Sequence, residues 1–179
     1  SKFGALKKSY AKGVELRGRT LGIVGFGRIG QALAKLAIGA GMKVVFSDIH
    51  EDNVDVELSF FDGQSAKFTC ENVGFDRVLS ESDFISVHVP GGDLIGASEL
   101  AKMKDGVVLL NAARGGVINE EALLDALESG KVAGAGLDVF VNEPTPAVKV
   151  LMNGKLSVTP HIGAATLEAQ DRIGTELAA

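Results

Sequence analysis

Three side chains in the second half of this 179-residue chain are of types that could handle a small acid. They are Arg114 in Asn111-Ala112-Ala113-Arg114-Gly115-Gly116, Glu143 before Pro144, and His161 in Thr159-Pro160-His161-Ile162-Gly163. A guanidinium can hold a carboxylate through two parallel N–H bonds. An imidazole can give or take a proton near neutral pH, and a carboxylate on its other nitrogen fixes its orientation and stabilises the imidazolium. Each residue follows a short apolar run, so all three can meet outside the carboxyl ends of a parallel sheet. Singly, each has an ordinary reading: a surface ion-pair residue, a loop charge and a strand-end histidine.

A second constellation lies nearer the start, in Gly25-Phe26-Gly27-Arg28-Ile29-Gly30. In a GxGxxG that opens a helix, the first glycine permits a tight turn and the second lets backbone approach a pyrophosphate. The third allows helix and strand to pack closely, and the helix N-terminus supplies donors and positive charge. Alone the string is weak, because 23 glycines generate near matches. The next apolar run, Lys43 to Ser47, ends on Asp48, at the distance where a carboxylate can accept from both adenosine ribose hydroxyls. That carboxylate would repel a 2′-phosphate, and Ile49-His50 offers no arginine to neutralise one, so the expected cofactor is NAD rather than NADP.

The elements that must position these residues follow from alternation of short β-branched runs with helical segments, the grammar of a doubly wound, mainly parallel α/β sheet of Rossmann type in three αβα layers. The expected strands are Thr20 to Val24, Lys43 to Ser47, Phe84 to Val89, Val107 to Asn111, Ala133 to Val139 and Leu156 to Thr159, with a further one near Ala66 to Thr69. Between the first two, Ile29, Leu33 and Leu36 give a helix an apolar stripe closed by Gly39 and Gly41. A later helix has Asn119 as N-cap, Glu120 and Glu121 in its first turn, Leu123, Leu124 and Leu127 on its core face, and Gly130 at its end. One domain is expected over residues 1–179, with a short arm over 1–18 and a closing helix over 166–179.

Composition narrows the function. A net charge of −5 argues against nucleic acid, and the short basic stretch Lys2, Lys7, Lys8, Lys12, Arg17, Arg19 reads as a solvated arm. No apolar run approaches the roughly 20 residues that cross a bilayer, so no membrane partner is expected. The single Cys70 cannot form an intrachain disulfide, and no leader with an apolar stretch opens the sequence, which together favour a cytoplasmic setting. Cys70 reads as a core residue, His50 as solvated, and His88 as a buried histidine hydrogen-bonded near the cofactor. No metal-ligand spacing emerges.

The strings Ala112-Ala113-Arg114-Gly115-Gly116, Gly136-Leu137-Asp138-Val139-Phe140, Glu143-Pro144 and Thr159 to Thr166 occur in an order that closely resembles the D-isomer-specific 2-hydroxyacid dehydrogenases. The resemblance implies hydride transfer between NAD and a small 2-hydroxy or 2-oxo acid, with 3-phosphoglycerate and 3-phosphohydroxypyruvate as the expected pair. It implies that Arg114 holds the substrate carboxylate, that His161 is the general acid and base, and that Glu143 orients His161. It also implies that Gly25, Gly27, Arg28, Ile29, Gly30, Asp48, His88, Val89, Pro90, the backbone from Ala112 through Ala113 to Arg114, Asp138, His161, Ile162, Gly163 and Ala164 line the NAD, Asp138 meeting the nicotinamide carboxamide. Pro90-Gly91-Gly92-Asp93-Leu94 departs from the family in being shorter and richer in glycine. Family members carry a substrate domain built from sequence on both sides of the nucleotide domain. Its expected absence here predicts weak turnover and leaves open an isolated NAD-binding module, trimmed or corepressor-like. The arm from Lys7 to Leu16 resembles a subunit-association region, so a homodimer is expected.

Overall fold

A computed structural model describes residues 2–9, 11 and 13–177. Ser1, Tyr10, Lys12, Ala178 and Ala179, which belong to the expected arm and closing helix, lie outside the described residues. The elements run α1 (Lys2–Ser9), β1 (Thr20–Val24), α2 (Arg28–Gly39), β2 (Lys43–Ser47), β3 (Val54–Ser59), β4 (Ser65–Asn72), α3 (Phe75–Glu81) and β5 (Phe84–Val87). There follow α4 (Ala97–Lys102), β6 (Val107–Asn111), α5 (Glu120–Ser129), β7 (Val132–Leu137), α6 (Val148–Leu151), β8 (Leu156–Val158) and α7 (Leu167–Leu177).

The eight strands form one sheet in the order β3-β4-β2-β1-β5-β6-β7-β8, parallel except where β3 runs antiparallel to β4. The chain winds outward from β1 in both directions, so a crevice opens between the ends of β1 and β5, where the winding reverses. Because strand side chains alternate, Leu21 and Ile23 of β1 pack under α2 with Phe46, Ala34 and Ala37. Val24 and Val45 face the other way, into a core with Val78 and Leu79 of α3, Leu100 of α4 and Leu123 and Leu127 of α5. The sheet is thus covered on both faces.

Two expectations are corrected. Of the expected α2 stripe only Leu33 packs against the core, half-buried: Ile29 and Leu36 are 70% and 73% exposed, and the buried positions are Gly30, Ala34 and Ala37. The helix lies so close to β1 that only small residues fit beneath it, and a Cβ on Gly30 would stand 2.4 Å from Gly25 O.

The second correction concerns the stretch after β2, where no crossover helix precedes the next parallel strand. β3 and β4 form a hairpin turned at Asp62-Gly63, with Gly63 at φ 83 and Phe60 N donating to Gln64 O at 2.8 Å. The strand expected near Ala66 to Thr69 is the centre of the longer β4, while β5, β7 and β8 stop at Val87, Leu137 and Val158, freeing His88, Asp138 and Thr159 for the loops at the sheet's carboxyl edge.

Candidate functional site

The glycine loop is held from below and from the side. Phe26, fully buried, stacks on Phe46 of β2 with ring centroids 3.8 Å apart, and its amide donates to Asp48 Oδ2 at 2.6 Å. Asp48 Oδ1 accepts from His50 N at 2.8 Å. Partial burial works against the charge on Asp48, but the amides of Phe26, His50 and Glu51 outweigh it and hold the carboxyl below its ordinary value.

The three glycines do different work. Gly25 sits at φ 88, and a Cβ there would stand 2.6 Å from His88 O, so the turn also allows β1 and β5 to converge. Gly27 caps α2 with no side-chain hydrogen bond, and a Cβ there would meet nothing within 4 Å. Open space therefore fronts an uncapped helix N-terminus, with a carboxylate beside it. These residues fit a dinucleotide's diphosphate and ribose.

Across the crevice, Asn111 ends β6 buried, and its amide shapes the following loop, accepting from Ala113 N and donating to Arg114 O, each at 3.0 Å. Arg114 lies exposed, Nη1 donating to Ala113 O at 2.6 Å, and makes no ion pair among the described residues. Gly115 brings this loop directly onto the next one, since a Cβ there would fall 1.9 Å from Phe140 O. That second loop carries Glu143, whose Oε1 accepts from Phe140 N at 2.9 Å and whose Oε2 lies 2.7 Å from His161 Nδ1. Hydrogen bonds from His161 and then from Phe140 N hold the Glu143 carboxyl below its ordinary value.

His161 has a positive φ of 55, the one non-glycine residue so placed among those described. The segment around it is clamped by Asp138. Oδ1 accepts from Thr159 Oγ1 at 2.5 Å and Ile162 N at 2.9 Å, and Oδ2 accepts from Gly163 N at 3.0 Å. Burial opposes the charge on Asp138, but the Thr159 hydroxyl and these two amides outweigh it, so the carboxyl is held low. His88 pairs with Ser86 Oγ through Nε2 at 2.9 Å, and burial pushes its pKa down, favouring the neutral ring.

A cleft of about 480 Å³ joins Ile29, His88, Ala112, Arg114, Asp138, His161, Gly163 and Ala164. His161 also borders an apolar pocket of about 390 Å³ beyond Glu143, formed with Phe140, Pro144, Pro146 and Leu151. Thus the structure brings Arg114 and His161 to one cleft, with Glu143 reaching it through His161. Arg28, in the first turn of α2, and Val89, Pro90, Ala113 and Ile162, in the adjoining loops, stand off the cleft wall. Sequence reasoning missed Ala165 and Gln170, which complete the wall, and the supports Asn111 and Thr159. An asparagine closing the apolar run Val107-Val108-Leu109-Leu110 was the available signal for Asn111.

A doubly wound sheet with a glycine turn, an uncapped helix and an acidic strand end at its switch point defines a dinucleotide-binding domain. Residues 2–163 match the family described as "D-isomer specific 2-hydroxyacid dehydrogenase, NAD binding domain", and the chain belongs to that family. It is similar to the hydroxypyruvate reductase of Thermotoga maritima, 45% identical over 98% of this chain and 56% of that protein. The D-3-phosphoglycerate dehydrogenase of Mycobacterium leprae is 43% identical over 96% of this chain and 32% of its own length. In structure it resembles the glyoxylate reductase of Paecilomyes thermophila, with a TM-score of 0.78, 38% identity, and coverage of 97% of this chain and 52% of the other. The chain spans about half the length of the first relative and about a third of the second. Among the described residues, no helix is long and apolar enough to cross a membrane.

Proposed function

We propose that this chain is the cofactor-binding and acid–base half of an NAD-dependent dehydrogenase acting on small D-2-hydroxy and 2-oxo acids. The observation that carries the reading is the 2.7 Å contact of His161 Nδ1 with Glu143 Oε2, on a cleft shared with an arginine that pairs with no carboxylate among the described residues and with Ile29 at the edge of the glycine loop. With Nδ1 occupied by Glu143, Nε2 is the atom that delivers a proton to a 2-oxo group on reduction or takes one from a 2-hydroxyl on oxidation. Glu143 offsets the charge His161 acquires when it holds that proton. Arg114 swings from Ala113 O to the substrate carboxylate and aligns C2 for transfer. When bound, NAD supplies or accepts the hydride. Asp48 accepts the ribose hydroxyls and disfavours a 2′-phosphate, giving NAD preference over NADP.

The expected substrate pair is 3-phosphoglycerate and 3-phosphohydroxypyruvate, with hydroxypyruvate and glyoxylate, the acids in the names of relatives, as competitors. A homodimer and a cytoplasmic location complete the reading. The test is NADH oxidation at 340 nm with the three 2-oxo acids, for the wild type and His161→Ala. Turnover that falls by about 10²–10⁴-fold in His161→Ala supports the assignment. Turnover that survives the substitution refutes it, and NADH binding without turnover of any acid favours an isolated NAD-binding module.

A further inference from the structure

Asp48 can discriminate between nucleotides only if the turn that carries it is held at a fixed distance from the glycine loop. The side-chain bond to Phe26 N fixes one end of that relation. The turn itself, residues 48–51, projects from the sheet with Ile49 91% exposed, and no crossover helix stands behind it. What stands there is the end of the hairpin. β4 pairs with β2 so that Asn72 lies opposite Phe46, and Val73 N donates to Phe46 O at 2.9 Å.

From that position a single side-chain amide brackets the turn. Asn72 Nδ2 donates to Asp48 O at 2.8 Å and to Glu51 O at 2.6 Å, using both of its protons on the first and last carbonyls of the turn. Asn72 Oδ1 accepts from Gly74 N at 3.1 Å, and Asn72 N donates to Asn53 Oδ1 at 3.0 Å. The orientation of the amide follows from its partners, because exchanging its oxygen and nitrogen would set an oxygen against two carbonyls and NH₂ against an N–H. Aspartate would keep the acceptor for Gly74 but lose both donors and face the two carbonyls with negative charge. Few residues other than asparagine reach all three groups.

We propose that Asn72 is a specificity-determining positioning residue, which sets the NAD preference of the cleft by pinning the Asp48 turn against the glycine loop. The inference rests on the reading of Asp48 as the ribose acceptor. With both donors removed, the turn is free to withdraw from the ribose, weakening the contacts that favour an unmodified 2′-hydroxyl and opening room for a 2′-phosphate. The hairpin that replaces a crossover helix is then the support on which nucleotide choice depends.

The test is calorimetric titration of the full chain with NADH and with NADPH, for the wild type, Asn72→Asp, Asn72→Ser, Asn53→Ala and Asp48→Ala, each first checked by thermal unfolding. The loss of two neutral hydrogen bonds predicts that both Asn72 variants bind NADH about tenfold more weakly while NADPH changes by less than about twofold. Asn53→Ala keeps both donors of Asn72 and should retain the wild-type ratio of affinities. Equal weakening of both nucleotides in the Asn72 variants would mean a merely structural role and overturn the proposal. So would a wild-type ratio in those variants while Asp48→Ala collapses it. An unchanged ratio in Asp48→Ala would sink the ribose reading itself, and this inference with it.

Discussion

Replacing Gly27 and Gly30 by alanine separates the part of the glycine loop that builds the fold from the part that meets the cofactor. Gly27 has φ −68 and ψ −164, which any residue adopts, and an added methyl meets no atom within 4 Å. Alanine is a poorer helix cap than glycine by about 0.5–1 kcal/mol, a loss offset by a gain of about 0.4–1 kcal/mol from the lower entropy of its unfolded chain, so the net change in stability should be small. The methyl nevertheless occupies the space through which a diphosphate approaches the first-turn amides. Losing one charge-assisted hydrogen bond there, worth about 1.5–3 kcal/mol, weakens NADH binding by about 10–10²-fold. At Gly30 the same methyl would stand 2.4 Å from Gly25 O and 3.2 Å from Ile23 Cγ2. Since neither backbone nor core can yield cheaply, α2 must lift by about 1 Å, at about 1–3 kcal/mol of overpacking. Urea unfolding followed by circular dichroism, paired with NADH titration, reads both quantities. Gly27→Ala should keep the wild-type midpoint and lose NADH, while Gly30→Ala should lose both. NADH binding of wild-type strength in Gly27→Ala would refute the placement of the diphosphate, and an unchanged midpoint in Gly30→Ala would refute the packing argument.

Other outcomes follow from the same geometry. Gly115→Ala puts a methyl 1.9 Å from Phe140 O, forcing apart the loops that carry Arg114 and Glu143. Turnover should fall by about 10²-fold, the scale of a 1 Å misplacement, with NADH binding largely kept, and wild-type kcat in that variant would contradict the coupling of the two loops. Asp48 and Asp138 have folded pKa values below their ordinary ones, so the stability they contribute is complete above the unfolded carboxyl value, about 3.9, and is lost as pH falls through the lower folded values. Asp138→Asn should flatten that acid limb in urea midpoints measured against pH, whereas an acid limb as steep as the wild type's would show that the clamp on the His161 segment adds no stability. His88 follows the same direction at higher pH. Its lowered pKa makes its contribution complete above about 6.5 and lost as pH falls toward the folded value, and His88→Gln should remove that portion of the profile.

Local signals were readable and distant ones were not. The strands Thr20–Val24, Lys43–Ser47 and Val107–Asn111 stand where continuous apolar runs place them, and α5 is capped by Asn119, which accepts from Ala122 N at 3.0 Å. β3 escaped because Asp55 and Glu57 alternate with Val54, Val56 and Leu58. An edge strand with one polar face looks like a loop when only apolar runs are sought, although Asp62-Gly63 marked the turn. The α2 stripe was misread at Ile29 and Leu36 for a related reason: size was taken for burial, whereas close approach to β1 buries Gly30, Ala34 and Ala37 and leaves Leu33 half-buried. In the candidate site, short motifs drew attention to Gly27, Arg114 and His161, the spacing after the glycines to Asp48, and the pair Glu143-Pro144 to Glu143. The bonds that position them join residues far apart in sequence, such as Thr159 to Asp138 and Asn72 to Asp48, and no local pattern encodes those pairings.

The proposed function depends on a dinucleotide bound at the switch point of the sheet. The most direct measurement is calorimetric titration of the purified chain with NADH and, in parallel, with NADPH. One NADH should bind per chain, more tightly than NADPH, with that margin lost in Asp48→Ala. No binding of either nucleotide, or equal binding of both by the wild type, would contradict that function.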